Sequence, residues 1–282
     1  MIRCKGIEKS FSGKKVLSGI DMDIEGGRIF GLLGPSGAGK TTLIRIITGQ
    51  LEYDGGSALV MGREARDLTR QDRKNIGIMM DDFGVYERFS CEDNLKVFAD
   101  IYGISHVKIA ETLDAVGLKS AAKKSASDLS KGMRARLQLA RVFMHSPEIL
   151  FLDEPTSGLD PRSSKAIHRL IRDRKNEGRT IFLTTHNMEE AYELCDTVAL
   201  LNEGHIVDVG APDELCRKYD HRKTVSIRLD TGEEMELPCN AGSGEIICGL
   251  MKEGRIETIH SSEPGLEEVF LELTGKKLEE DD

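Results

Sequence analysis

The chain contains no tryptophan, and aromatic residues fill only 5% of its 282 positions. So few rings disfavour a surface that holds single-stranded nucleic acid by stacking bases on them. Basic charge is also in deficit: 39 lysines and arginines stand against 48 aspartates and glutamates, a formal net charge of −9. The balance argues against nucleic acid as the main partner, because neutralising phosphates requires a basic surface, though it leaves room for a local basic patch. Nowhere do about 18 or more apolar residues run together, so no segment reads as a membrane-spanning helix. The opening residues Met1-Ile2-Arg3-Cys4-Lys5 lead into no apolar run of the kind a secretory leader carries. The six cysteines are scattered without a C-x-x-C pair, which points to reduced, buried thiols rather than a metal site or a disulfide framework. Internal repeats and low-complexity linkers are also missing.

What is present is a polar globular composition, 39% hydrophobic and 31% charged, in a chain long enough for one large domain and a small one. Residues 1–30 alternate as strands do, with Ile2 and Cys4, then Ile20, Met22 and Ile24. A short strand follows over Ser57–Met61. From about Val85 to His145 the apolar spacing is helical. Strand and helix signals then alternate: Ile149–Leu152 strand, Ser163–Asn176 helix, Thr180–Thr184 strand, Met188–Cys195 helix, Thr197–Leu201 strand. Such alternation implies an α/β fold with a mostly parallel sheet covered by helices on both faces. Beyond about Asp220, a hairpin (Thr224–Leu229 and Glu234–Leu237), a helix near Gly244–Glu253, a strand at Arg255–His260 and a helix over Leu266–Leu273 read as a small α+β appendage. The expected division is residues 1–220 and 221–282, the last residues forming an acidic tail.

Gly34-Pro35-Ser36-Gly37-Ala38-Gly39-Lys40-Thr41 matches G-x-x-x-x-G-K-[ST] at every constrained position. It follows the apolar run Ile29–Leu33 and precedes a helical pattern from Thr42, the strand–loop–helix setting that a phosphate-binding loop requires. Glycines let successive backbone N–H groups turn inward around a phosphate. The helix N-terminus adds partial positive charge. Lys40 is placed to reach the β- and γ-phosphates, and the Thr41 hydroxyl to bind Mg²⁺.

A second apolar run, Ile149-Leu150-Phe151-Leu152, ends in Asp153-Glu154. A buried strand ending there sets the Asp153 carboxylate beside a metal held at Thr41. Glu154 is then free to hold the attacking water as general base.

Three further stretches carry a resemblance. Leu129-Ser130-Lys131-Gly132-Met133, opening a helix, is similar to the signature motif of ABC-type ATPases, whose usual core is Leu-Ser-Gly-Gly-Gln. Asp153-Glu154-Pro155-Thr156 with Ser157-Gly158-Leu159-Asp160, and Thr184-Thr185-His186, resemble that family's extended carboxylate motif, interface loop and switch histidine, in the family's order. The resemblance spans residues 1 to about 215. It implies a P-loop NTPase fold: a RecA-like core, an antiparallel β subdomain and an α-helical subdomain over about 84–145. It also implies a head-to-tail dimer with ATP between the phosphate loop of one subunit and the signature of the other. In that arrangement Ser130 and Gly132 meet the γ-phosphate, Asp160 acts across the interface, and His186 supports Glu154 or the water. Thr42 joins the phosphate loop in contacting nucleotide. Phe11 falls where the family places an adenine-stacking aromatic, usually tyrosine; an edge-of-core phenylalanine is the other reading.

Two departures stand out. Lys131 and Met133 replace the commonest signature residues, while Ser130 and Gly132 remain. Asp81, followed by Asp82, stands where the family has a glutamine that ligates Mg²⁺. Aspartate is shorter and charged, so it either binds Mg²⁺, directly or through water, or is an ordinary loop carboxylate.

The single cassette and the short helical segment set aside tandem translation factors and coiled-coil DNA-maintenance members; the stretch Asp82–Ser90 resembles that region in bacterial drug and peptide exporters, and the tail Pro264–Gly275 resembles that of antibiotic-exporter ATPases. The resemblance implies an ATPase that requires ATP and Mg²⁺, pairs as a homodimer or a heterodimer with a related ATPase, and works on separate transmembrane permease subunits. Its place is then peripheral, on the cytoplasmic face of the cell membrane. A soluble, non-transport ABC ATPase and a low-turnover nucleotide-binding module are the competing classes.

Overall fold

The computed structural model describes residues 1–80, 84–221, 223–261 and 264–275. Strands β1 (Ile2–Phe11) and β2 (Lys14–Ile24) form a hairpin, paired from Ile2 opposite Ile24 to Phe11 opposite Lys14. The turn residues Ser12 and Gly13 both have positive φ, 48° and 83°, which matches the twist of the flanking strands. β3 (Ile29–Leu33) is buried at every position, and the loop after it leads into helix α1 (Lys40–Ile47). β4 (Gly55–Val60) returns to pair with β1, and the two-residue β5 (Arg63–Glu64) completes a four-stranded antiparallel sheet, β2-β1-β4-β5.

A short polar helix, α2 (Arg70–Lys74), starts at a capping box between Thr69 and Asp72 and precedes β6 (Ile76–Met79). Three helices follow, α3 (Cys91–Tyr102), α4 (Val107–Ala115) and α5 (Lys131–Phe143). They share a separate apolar cluster that includes Leu95, Ala99, Ile109, Leu113, Leu137 and Ala140. The helical periodicity of residues 85–145 thus resolves into three helices with their own core. α3 starts at Ser90, whose hydroxyl accepts from Asp93 N, and stops at Gly103 in the left-handed region.

β7 (Ile149–Asp153), α6 (Pro161–Asn176), β8 (Thr180–Thr185), α7 (Met188–Leu194), β9 (Thr197–Asn202) and β10 (His205–Gly210) complete the first unit. The central sheet runs β10-β9-β3-β8-β7-β6, parallel except for β10, which pairs antiparallel with β9 at the edge. β3, β7 and β8 are buried along their whole length because each has a strand on both sides. They are neighbours running the same way, so Leu33, Asp153 and Thr185 all finish at one end of the sheet. In open α/β sheets that carboxyl end is where ligands bind.

From Pro212 onward the chain forms a second compact unit. It comprises α8 (Pro212–Lys218), β11 (Thr224–Leu229), β12 (Glu234–Pro238), α9 (Ala241–Lys252), β13 (Ile256–Ser261) and α10 (Leu266–Thr274). The sheet order is β12-β11-β13, and Leu215, Ile227, Leu266, Val269 and Phe270 are buried. The unit begins earlier than the expected 220/221 boundary because α8, a helix not expected from the sequence, packs on α10.

Candidate active site

The loop between β3 and α1 is shaped by its glycines. Gly39 has φ 110°, and a Cβ there would fall 2.7 Å from Leu17 Cδ2 and 3.1 Å from Val16 O, so only glycine fits without displacing β2. Ala38 N donates to Pro35 O at 3.2 Å. Gly39 is also the N-cap of α1, and no side chain caps that helix, leaving first-turn amides available to an anion. Ser36 and Gly37 are exposed, Pro35 and Thr42 are half-buried, and Gly34 is buried.

Lys40 is only 7% exposed. Its Nζ donates to Gly34 O at 2.6 Å and to Pro35 O at 3.3 Å, and lies 3.1 Å from Glu154 Oε1. The other oxygen, Glu154 Oε2, is 2.7 Å from His186 Nδ1. A carboxylate can only accept, so Nδ1 carries the donated hydrogen. Glu154 therefore sits clamped between the lysine of the phosphate loop and the histidine after β8. Its backbone adopts φ +49°, a left-handed conformation costly for a residue with a Cβ and found where surroundings over-determine it. Glu154 N donates to Thr184 O at 3.1 Å, which anchors that turn.

Asp153 is buried at the end of β7. Thr41 Oγ1 donates to Asp153 Oδ2 at 2.7 Å, and Thr184 Oγ1 donates to Oδ1. Thr184 lies directly across the parallel ladder from Asp153. Thr41 and Asp153 offer two adjacent hard oxygens, a donor set suited to Mg²⁺, which typically takes one or two protein ligands and fills the rest with phosphates and water.

The structure thus brings Lys40, Thr41, Asp153, Glu154 and His186 together. Ser130, Gly132 and Asp160 form a different group, and among the described residues no hydrogen bond or ion pair joins them to the phosphate loop. Ser130 is the exposed N-cap of α5, its hydroxyl accepting from Met133 N at 3.3 Å. Gly132 is packed so close to α6 that a Cβ would lie 2.8 Å from Ser163 Cβ. Asp160 caps α6: Ser163 Oγ donates to it at 2.6 Å, and the Ser163 and Arg162 amides at 3.0 and 3.1 Å. These hydrogen bonds, the Ser163 hydroxyl foremost, hold its carboxyl below the usual carboxylate range. Lys131 reaches from the first turn of α5 to lie against Gly158. Phe11 is exposed at the end of β1, with Lys9 Nζ 5.2 Å from its ring centroid. Asp81 lies outside the described residues.

Sequence reasoning noticed Thr184 only as a neighbour of His186. Its bond to Asp153 follows from cross-strand register, which a single sequence does not display.

The profile of the ABC transporter family matches residues 17–157. Over 99% of its length the chain is 38% identical to a fluoroquinolones export ATP-binding protein of Mycobacterium tuberculosis, covering 94% of that protein. It is 34% identical to Nod factor export ATP-binding protein I of Rhizobium sp., over 97% of each chain. Among solved structures, the ATP-binding subunit of an ABC transporter superposes with a TM-score of 0.70 at 26% identity, over 78% of this chain and 93% of that one.

Proposed function

Because the chain belongs to the ABC transporter family, we propose that it is the ATP-hydrolysing subunit of an exporter, driving transport through separate membrane-spanning subunits. The observation that carries this reading is the meeting of Lys40, Thr41, Asp153, Glu154 and His186 at the carboxyl ends of β3, β7 and β8. Relatives that match along nearly their whole length are named for export. Among the described residues no helix is long and apolar enough to cross a membrane, so the translocation path in this reading belongs to other chains. The subunit then sits at the cytoplasmic face of the membrane.

In the proposed mechanism the N–H groups of residues 36–41 and Lys40 hold the β- and γ-phosphates of ATP. Thr41 and Asp153 would hold Mg²⁺, with Asp81 as a further ligand directly or through water, and the ion would supply charge neutralisation at the phosphates. Glu154 positions water for in-line attack and takes up its proton, and His186 keeps the carboxylate aimed while its other ring nitrogen donates a hydrogen bond to the γ-phosphate. Phe11 provides a face for adenine. Ser130, Gly132 and Asp160, which no hydrogen bond joins to this phosphate loop among the described residues, complete the site of a second subunit, so ATP joins two copies, or this chain and a related one, and hydrolysis releases them.

The helical segment supplies a docking surface for the membrane subunit. A cavity of about 280 Å³ lies between this segment and the core, lined by Thr48, Arg73, Ile78, Phe98, Arg141 and His145 among others. Arg141 Nη2 donates to Ile78 O at 3.2 Å, and its guanidinium carbon is 5.0 Å from the Phe98 ring centroid.

The test is a mild-detergent pull-down of tagged protein from native membranes, with mass spectrometry of stoichiometric partners. A multi-spanning partner is expected. Recovery from the soluble fraction alone would instead favour a non-transport ABC ATPase. Replacing Asp81 by glutamine is expected to change the Mg²⁺ dependence of turnover; an unchanged dependence removes Asp81 from the metal site.

A further inference from the structure

Glu154 begins the loop that leads into α6, and His186 begins the one that leads into α7. Behind the two catalytic side chains, these segments are tied together by buried polar groups. Thr156 Oγ1 donates to Glu190 Oε1 at 2.6 Å. His168 Nε2, from α6, lies 3.1 Å from the same oxygen, and His168 Nδ1 lies 3.3 Å from Glu193 Oε2. Arg172 Nη2 donates to Glu193 O at 3.2 Å, closing the cluster toward solvent. Glu190 is 3% exposed, and its Oε2 is buried with no hydrogen-bond partner among the described residues. The residue lines a cavity of about 280 Å³ whose wall also includes Glu154, Thr156, His168 and His186.

A buried carboxylate with one oxygen unsatisfied is a poor way to stabilise a fold, since apolar side chains of similar volume do as well or better. What this one provides is position. Thr156 follows Glu154 in the same turn, and Glu190 lies on the first turns of the helix after His186. The Thr156–Glu190 hydrogen bond is therefore a crossbar between the carboxylate and the histidine that meet at 2.7 Å in front of it. Glu154 needs such support, because its left-handed backbone is not one that the local chain favours.

We propose that Thr156 and Glu190, with His168 fixing Glu190, are positioning residues that hold Glu154 against His186 during ATP hydrolysis. The inference rests on the reading of Glu154 as the group that handles water. It goes further in assigning a task to groups that touch neither nucleotide nor metal.

The experiment is steady-state phosphate release by the full chain with Mg-ATP, for wild type, Thr156→Val, Thr156→Ser, Glu190→Met and the Thr156→Val/Glu190→Met double variant. Misaligning a catalytic group without touching substrate should lower kcat about tenfold for Thr156→Val while KM moves less than about twofold. Thr156→Ser, which keeps the hydroxyl, should return kcat to within about twofold of wild type. The double variant should be no slower than the worse single one, because both remove the same bond. Thr156 is only half-buried, so its variants decide the question even if Glu190→Met fails to fold. Wild-type kcat in Thr156→Val, equal losses in the serine and valine variants, or KM rising as far as kcat falls would each overturn the proposal. Absence of hydrolysis by wild type would instead overturn the reading of the site itself.

Discussion

Lys40 Nζ lies 3.1 Å from Glu154 Oε1, and the two side chains are only 8% and 19% exposed. The ammonium proposed to hold phosphate is thus engaged by the carboxylate proposed to hold water. In the proposed mechanism bound ATP draws Lys40 toward the phosphates and away from Glu154, which releases Oε1.

The first expectation concerns affinity. Glu154→Gln removes the carboxylate's claim on Lys40, so Mg-ATP should bind about three- to tenfold more tightly, or roughly 1 kcal/mol. Equilibrium titration with Mg-ATP measures it. Unchanged or weaker binding contradicts the competition.

The second concerns the metal. Asp153 accepts hydroxyl hydrogens from Thr41 and Thr184, and an asparagine there offers one oxygen and no charge. Asp153→Asn should weaken Mg-ATP binding about tenfold or more, while ATP binding in excess EDTA changes less than about threefold. Equal losses with and without Mg²⁺ would show that Asp153 is structural.

The third concerns the approach of α5 to α6. Gly132→Ala pushes a methyl group into Ser163, and overpacking of this kind costs about 1–3 kcal/mol. Melting temperature and turnover should both fall. Adding Ser163→Gly should recover part of the melting temperature but not full turnover, because Ser163 also holds Asp160. Additive losses in the double variant would count against the contact.

The fourth concerns the thiols. Cys4, Cys91, Cys195 and Cys216 are buried, while Cys239 and Cys248 are exposed. Burial pushes the Cys4 thiol up to about 12, and the Cys91 and Cys195 thiols also upward. The thiolate is the reactive form, and a raised pKa keeps it scarce. Thiol-reactive dye should label Cys239 and Cys248 in the native protein at pH 8 and all six cysteines after denaturation. Native labelling of Cys4 or Cys195, read by peptide mass spectrometry, would contradict the packing of β1 or of the segment after α7.

Much of the site is legible in the sequence because its chemistry is local. A loop that wraps phosphate needs glycine where φ is positive, as at Gly39, and a central strand must be apolar until it reaches the ligand, as Ile149–Leu152 is before Asp153. What is not legible is tertiary. The order β10-β9-β3-β8-β7-β6 depends on crossovers, and threonine at 184 reads as ordinary strand propensity until register sets it opposite Asp153. The close contact of Gly132 with Ser163 joins distant helices. α2 and α8 are too short and polar to show a helical period, and β10 is a half-exposed edge strand whose alternation spans six residues.

Phosphate release from Mg-ATP by the wild-type chain and by Glu154→Gln, compared at equal protein concentration, tests the ATPase reading most directly. Wild type should turn over ATP, and Glu154→Gln should lose at least about 100-fold while still binding it. Equal rates for the two proteins, or no release by wild type, would contradict the assignment of Glu154 and with it the proposed mechanism.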